Sequence, residues 1–174
     1  MNKRTIIAII GESGTGKTSL SIYLNEHYGI PYVCSYTTRE KRPEEIDGID
    51  HKFVSVEKMP SKDEMLAYTY FGGYHYWSEK KQIQDIPTTY VIDEKGIIDL
   101  KERHGEEFNI ISIYIKRTNN PVDSRRRGRD KERIKLHEQN YDLVIVNEYP
   151  TSEDFCKAAS EAIIKKFNIK HIES

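Results

Sequence analysis

An apolar, β-branched run at residues 5–10 breaks directly into Gly11-Glu12-Ser13-Gly14-Thr15-Gly16-Lys17-Thr18, and that junction leaves the fold few choices. Gly11, Gly14 and Gly16 allow the backbone to turn with its N–H groups facing inward, which makes an anion nest at the start of a helix. Lys17 supplies a point charge suited to terminal phosphates, and the Thr18 hydroxyl is suited to a hard divalent cation. The bland alternative is a glycine-rich structural turn. Strand, complete motif and helix start coincide, so the reading is a cradle for a nucleoside triphosphate.

The rest of the chain alternates in the same way. Residues 5–10, 32–34, 89–92, 110–115 and 143–146 predict buried strands, and residues 18–27, 96–104, 122–139 and 152–167 predict helices. Strand followed by helix, repeated, predicts an α/β fold with a parallel sheet covered on both faces. Residues 37–78 break the rhythm, being rich in tyrosine, glycine and charge with strand-like pieces at 52–56 and 68–71. They are expected to form an insertion over the carboxyl edge of the sheet, where open α/β sheets bind ligands. A formal net charge of -1 gives no global field for nucleic acid or anionic membrane. No stretch has the apolar length of a membrane span. Cys34 and Cys156 form no CxxC pair, so neither a disulfide framework nor a zinc site is expected. A cytoplasmic enzyme is the expectation.

The phosphate loop leaves the acceptor open, because GTPases, transport ATPases and small-molecule kinases share it. No N/T-K-x-D motif reads guanine as in a GTPase. Ser35-Tyr36-Thr37-Thr38-Arg39-Glu40-Lys41-Arg42-Pro43-Glu44-Glu45-Ile46-Asp47-Gly48-Ile49-Asp50-His51 carries two guanidinium forks able to grip a phosphate; the alternative is a solvated charged loop. This stretch resembles the guanylate kinase family pattern S-x-T-T-R-x-x-R-x-x-E-x-[DN]-G-x-D-Y. Gly73-Tyr74-His75-Tyr76-Trp77-Ser78 is similar to the family's G-N-x-Y-G-[ST], and Val91-Ile92-Asp93-Glu94-Lys95-Gly96 to L-x-I-D-x-Q-G. Tyr141-Asp142-Leu143-Val144-Ile145-Val146-Asn147-Glu148 is similar to the closing F-D-x-V-I-V-N-D. Arg125-Arg126-Arg127-Gly128-Arg129-Asp130, with Arg133 beyond, resembles the family lid.

The resemblance implies a P-loop NTPase fold with a small mixed α+β nucleotide-binding insert and a short lid. The core would be residues 1–36 and 79–174, the insert 37–78 and the lid about 118–140. It implies a nucleoside monophosphate kinase of purine nucleotide metabolism that moves the γ-phosphoryl group of ATP to GMP, with Mg²⁺ as cofactor. ATP would be held by Gly11, Ser13, Gly14, Thr15, Gly16, Lys17, Thr18 and Ser19. GMP would be held by Ser35, Arg39, Arg42, His51, Tyr70, Tyr76, Ser78 and Asp93. Thr18 and Asp93 would face the metal, and Lys17, Arg39, Arg126 and Arg129 would act in transfer. ATP and GMP are the expected partners, with no membrane or nucleic acid, and the chain is expected to be a monomer or homodimer.

Several positions remain open. An acid ending a strand, like Asp93, can cap the following helix. The arginine run could be a nucleic-acid patch, although near-neutral overall charge and its place before the last strand favour a lid. Arg126, Arg129 and Arg133 recur at helical spacing and would share a face. The pattern is also broken in places. The guanine-reading glutamate of L-E-Y-A-E falls on Tyr70, with Glu64 a nearby acid that could replace it. His51 stands for tyrosine and Trp77 for glycine, and the lid-to-strand stretch is short. Phosphate handling is intact and the base pocket altered, so GMP is expected to be preferred with weakened discrimination against AMP. The competing readings are a kinase for another phosphorylated small molecule and a non-catalytic module that binds a phosphorylated partner.

Overall fold

The computed structural model describes residues 2–118 and 133–170. In chain order the elements are β1 (Thr5–Gly11), α1 (Lys17–Tyr28), β2 (Tyr36–Thr37), β3 (Lys52–Phe53), β4 (Met65–Phe71), β5 (Tyr74–Glu79), β6 (Thr88–Val91), α2 (Glu94–His104), β7 (Asn109–Lys116), β8 (Leu143–Val146) and α3 (Ser152–Phe167). They form an α/β P-loop NTPase fold around a parallel sheet in the order β6-β1-β7-β8.

Ile6 to Ile10 of β1 are fully buried, as expected of a central strand covered on both faces. The alternation of its side chains divides the core. Ile7 and Ile9 pack with Leu20 and Leu24 of α1 and with Phe155 and Ile163 of α3. Ile6, Ala8 and Ile10 pack with Ile97 and Leu100 of α2 and with Tyr90 and Phe108. Each such large side chain stabilises the fold by about 1.5–3 kcal/mol. Helix ends follow local chemistry. The Asp93 carboxylate accepts from the Gly96 N–H at 2.7 Å, and α2 therefore starts at Glu94, before the predicted residue 96. The Thr151 hydroxyl accepts from the Asp154 N–H at 3.1 Å and caps α3.

Three expectations need correction. The strand predicted at 32–34 is a single bridge, Tyr32 to Thr89. Val33 N–H donates to the Thr89 carbonyl at 2.8 Å, and the chain then leaves for the second sheet, where the Ser35 carbonyl takes the Lys52 N–H. The strand predicted at 52–56 stops at Phe53 and is followed by a 3₁₀ turn, Val56–Lys58. The helix predicted at 122–139 falls largely on residues 119–132, outside the described residues. In its described part, residues 133–137 are not helical and Glu138–Asn140 make one 3₁₀ turn.

The second sheet runs β3-β2-β5-β4. Partners directly opposite in a sheet share a face. Tyr36 pairs with Lys52 and with Trp77, and Tyr68 with Trp77, and Tyr70 with His75, so these six residues share one face. Trp77 stacks on Tyr36 with ring centroids 5.4 Å apart, and Lys52 lies over the Tyr36 ring. Thr37, Phe53, Tyr76 and Thr69, with Ala67 and Ser78, share the other face. A β-bulge between Met65 and Ala67 sets this register.

Candidate active site

The cradle requires glycine where it passes closest to its neighbours. Gly16 sits at φ 101, and a Cβ there would lie 2.9 Å from Phe155 Cε1. A Cβ on Gly11 would lie 2.4 Å from the Ile115 carbonyl oxygen. The loop carbonyls are fastened from outside. Asn147 Nδ2 donates to the Thr15 carbonyl at 2.9 Å, Arg117 Nη1 to that of Gly14 at 3.2 Å, and Arg133 Nη1 to that of Gly11 at 2.7 Å. A peptide plane whose C=O is held outward turns the next N–H the opposite way, towards the anion position. Lys17 Nζ and Thr15 Oγ1 both donate to the Glu12 carbonyl, at 2.6 and 2.9 Å. Arg133 is itself oriented by an ion pair with the buried Glu94, at 2.7 Å.

Beside the loop opens a cavity of about 400 Å³ that includes Gly14, Gly16, Lys17, Thr18, Ser19, Arg117, Asn147 and Tyr149. Sequence reasoning missed Arg117, Tyr149 and Glu94 as neighbours of the cradle, and it placed Asn147 only in a strand pattern. None carries a local signal, because each reaches the loop from a distant segment.

On the other side, a cavity of about 230 Å³ is lined by Thr18, Ser21, Ser35, Asp50, His51 and Tyr90 among others. Thr18 thus borders both cavities. Ser35 Oγ and His51 Nδ1 are hydrogen-bonded at 2.8 Å, and the His51 ring meets Tyr76 edge-on at 5.8 Å. Burial, with the Arg39 charge, holds His51 below the ordinary histidine range. Arg39 grips Glu45 bidentately at 2.9 and 2.7 Å and lies over the Phe53 ring. That fork raises the Arg39 pKa and, with the Arg42 backbone N–H on Glu45 at 2.8 Å, lowers Glu45 to about 2. The Arg42 side chain is exposed.

Other expected site residues stand elsewhere. Tyr70 is 60% exposed on β4 and shares the Trp77 face, opposite to Tyr76 and Ser78. It does not line this cavity. In L-E-Y-A-E laid on residues 66–70, the first glutamate falls on Ala67, which pairs directly with Ser78. The Glu64 carboxylate accepts from Ser61 Oγ at 3.0 Å in a capping box. Ser78 is fully buried and bonded to the Tyr90 hydroxyl at 2.7 Å, and it does not line the cavity. Trp77 belongs to the far face of the insert sheet, with its indole N–H on Glu79 at 3.1 Å. Asp93 is exposed and caps α2. Arg126 and Arg129 lie outside the described residues, as does most of the expected lid.

The chain as a whole is similar in sequence to known proteins. A profile of the family described as guanylate kinase matches residues 2–166. A guanylate kinase of Mycoplasma capricolum is 29% identical over 99% of this chain, and the chain spans 62% of that relative's length. One from Vibrio vulnificus is 30% identical over 98% of the chain and 91% of its own length. The crystal structure of guanylate kinase from Anaplasma phagocytophilum has the same fold, with a TM-score of 0.64 over 95% of this chain and 87% of that one at 24% identity. With its phosphate loop, acceptor segment and closing strand in this order and a family match from residue 2 to 166, the chain belongs to the guanylate kinase family.

Proposed function

We propose that the chain transfers the γ-phosphoryl group of ATP to GMP, giving ADP and GDP. The observation that carries this reading is Thr18 on the rim of two cavities, one over the phosphate loop and one at Ser35 and His51. Donor and acceptor phosphates bound in them would meet at the end of the loop, as in-line transfer requires. Residues 37–78 act in this reading as the acceptor-binding insert on a core of 1–36 and 79–174.

Loop N–H groups and Lys17 would hold the β- and γ-phosphates and offset charge as it develops. Arg39 and Arg42 would hold the acceptor phosphate, with His51 and Tyr76 beside it. Arg126 and Arg129 are proposed as the lid cations. No general base is needed, since a phosphate acceptor is already anionic near neutral pH. Among the described residues no group of three His, Cys, Asp or Glu side chains could cage a metal. That suits Mg²⁺, which keeps waters and substrate phosphate oxygens and takes few protein ligands. Thr18 would be its protein ligand, with Asp93 near it, and the ion when bound would neutralise phosphate charge. Among the described residues no helix is long and apolar enough to cross a membrane.

The test is a coupled assay of ADP production with ATP and a panel of nucleoside monophosphates. Turnover with GMP supports the reading; no turnover with any monophosphate rejects it.

A further inference from the structure

Tyr90 is 7% exposed and lines the acceptor cavity beside Ser35 and His51, while Ser78 behind it is fully buried. The two hydroxyls lie 2.7 Å apart, and either can be the donor. Ser78 therefore meets the cavity through Tyr90. Its partner across the sheet, Ala67, adds no hydrogen-bonding group. Burial pushes the Tyr90 phenol up to about 12, so it is neutral and protonated at any working pH.

A phenol has one proton and two acceptor lone pairs, and a serine hydroxyl has the same set. If Tyr90 donates to Ser78, both of its lone pairs would be left for an N–H of a base. If Ser78 donates to Tyr90, the phenol proton is open to a carbonyl. A carboxylate could only accept. Reversing this bond costs no charge and no movement of heavy atoms.

We propose that Tyr90, held by Ser78, is the base-contacting residue of the acceptor cavity, and that the pair admits purine nucleoside monophosphates with either an oxo or an amino group at the six-position. This rests on the kinase reading above and extends its substrate class from GMP to AMP.

Initial rates with GMP and AMP, for the native chain and Tyr90→Phe, test it. The native chain should use both, with kcat/KM values within about tenfold of one another. Tyr90→Phe keeps the ring and removes the hydroxyl, and it should raise KM for GMP and AMP together by about three- to tenfold. KM for ATP should stay unchanged, which a general loss of structure would not allow. Ser78→Ala should shift both acceptors in the same direction. A native preference for GMP over AMP above about a hundredfold overturns the proposal and leaves the kinase reading standing. So does a Tyr90→Phe enzyme with unchanged KM for both acceptors, or one impaired towards a single acceptor. Absence of turnover with every monophosphate removes both.

Discussion

Placing a carboxylate on either face of β4 separates two accounts of base recognition. Ala67 lies opposite the buried Ser78, on the face that carries Tyr76. Tyr70 lies three pairs nearer the hairpin tip, on the Trp77 face, and is 60% exposed. In Ala67→Glu the new carboxylate can accept from the adjacent N–H groups of guanine, a pair adenine lacks. A hydrogen bond to a charged group contributes about 1.5–3 kcal/mol, which is roughly a ten- to hundredfold gain in selectivity. In Tyr70→Glu the carboxylate enters water on the far side of the sheet, and the ratio should stay within about twofold. The assay is the ratio of kcat/KM for GMP over AMP in the native chain and both variants, with thermal melts to confirm folding. Ala67→Glu buries part of a charge and is expected to melt lower. If Tyr70→Glu sharpens the ratio and a folded Ala67→Glu does not, the assignment of faces across the bulge is wrong.

Three further outcomes are expected. Lys17→Ala should lower kcat by about 10²–10³-fold without unfolding the chain, as seen by circular dichroism and single-turnover rates, because it deletes a charge at the reacting phosphates. Gly16→Ala forces a Cβ to 2.9 Å from Phe155 at φ 101, so it should cost about 1–3 kcal/mol and lower Tm by several degrees in a thermal melt. Glu45 is lowered from 4.5 to about 2, so the Arg39 pair contributes fully above pH 4.5 and is lost as pH falls towards 2. The difference in urea midpoint between the native chain and Glu45→Gln should be constant above pH 4.5 and shrink below it; a difference that persists at pH 2 would contradict the pairing.

Local chemistry was enough for the strand, loop and helix around Lys17, since glycines, an apolar run and a helix start act over neighbouring residues. The same is true of most of the alternating strands and helices, of Asp93 as a cap, and of Ser35 and His51, which their shared motif brings together beside the second sheet. The tertiary structure decided what depends on register and on distant segments. Arg117, Arg133 and Asn147 reach the loop carbonyls across more than a hundred residues of chain. Burial against Tyr90 withdrew Ser78 from the cavity. On β4, side chains alternate with a period of two, so one inserted residue reverses every face beyond it. The bulge at Leu66 is such an insertion, invisible in the order of residues 65–71, and it put Ala67 rather than Leu66 opposite Ser78, with Tyr70 on the reverse face.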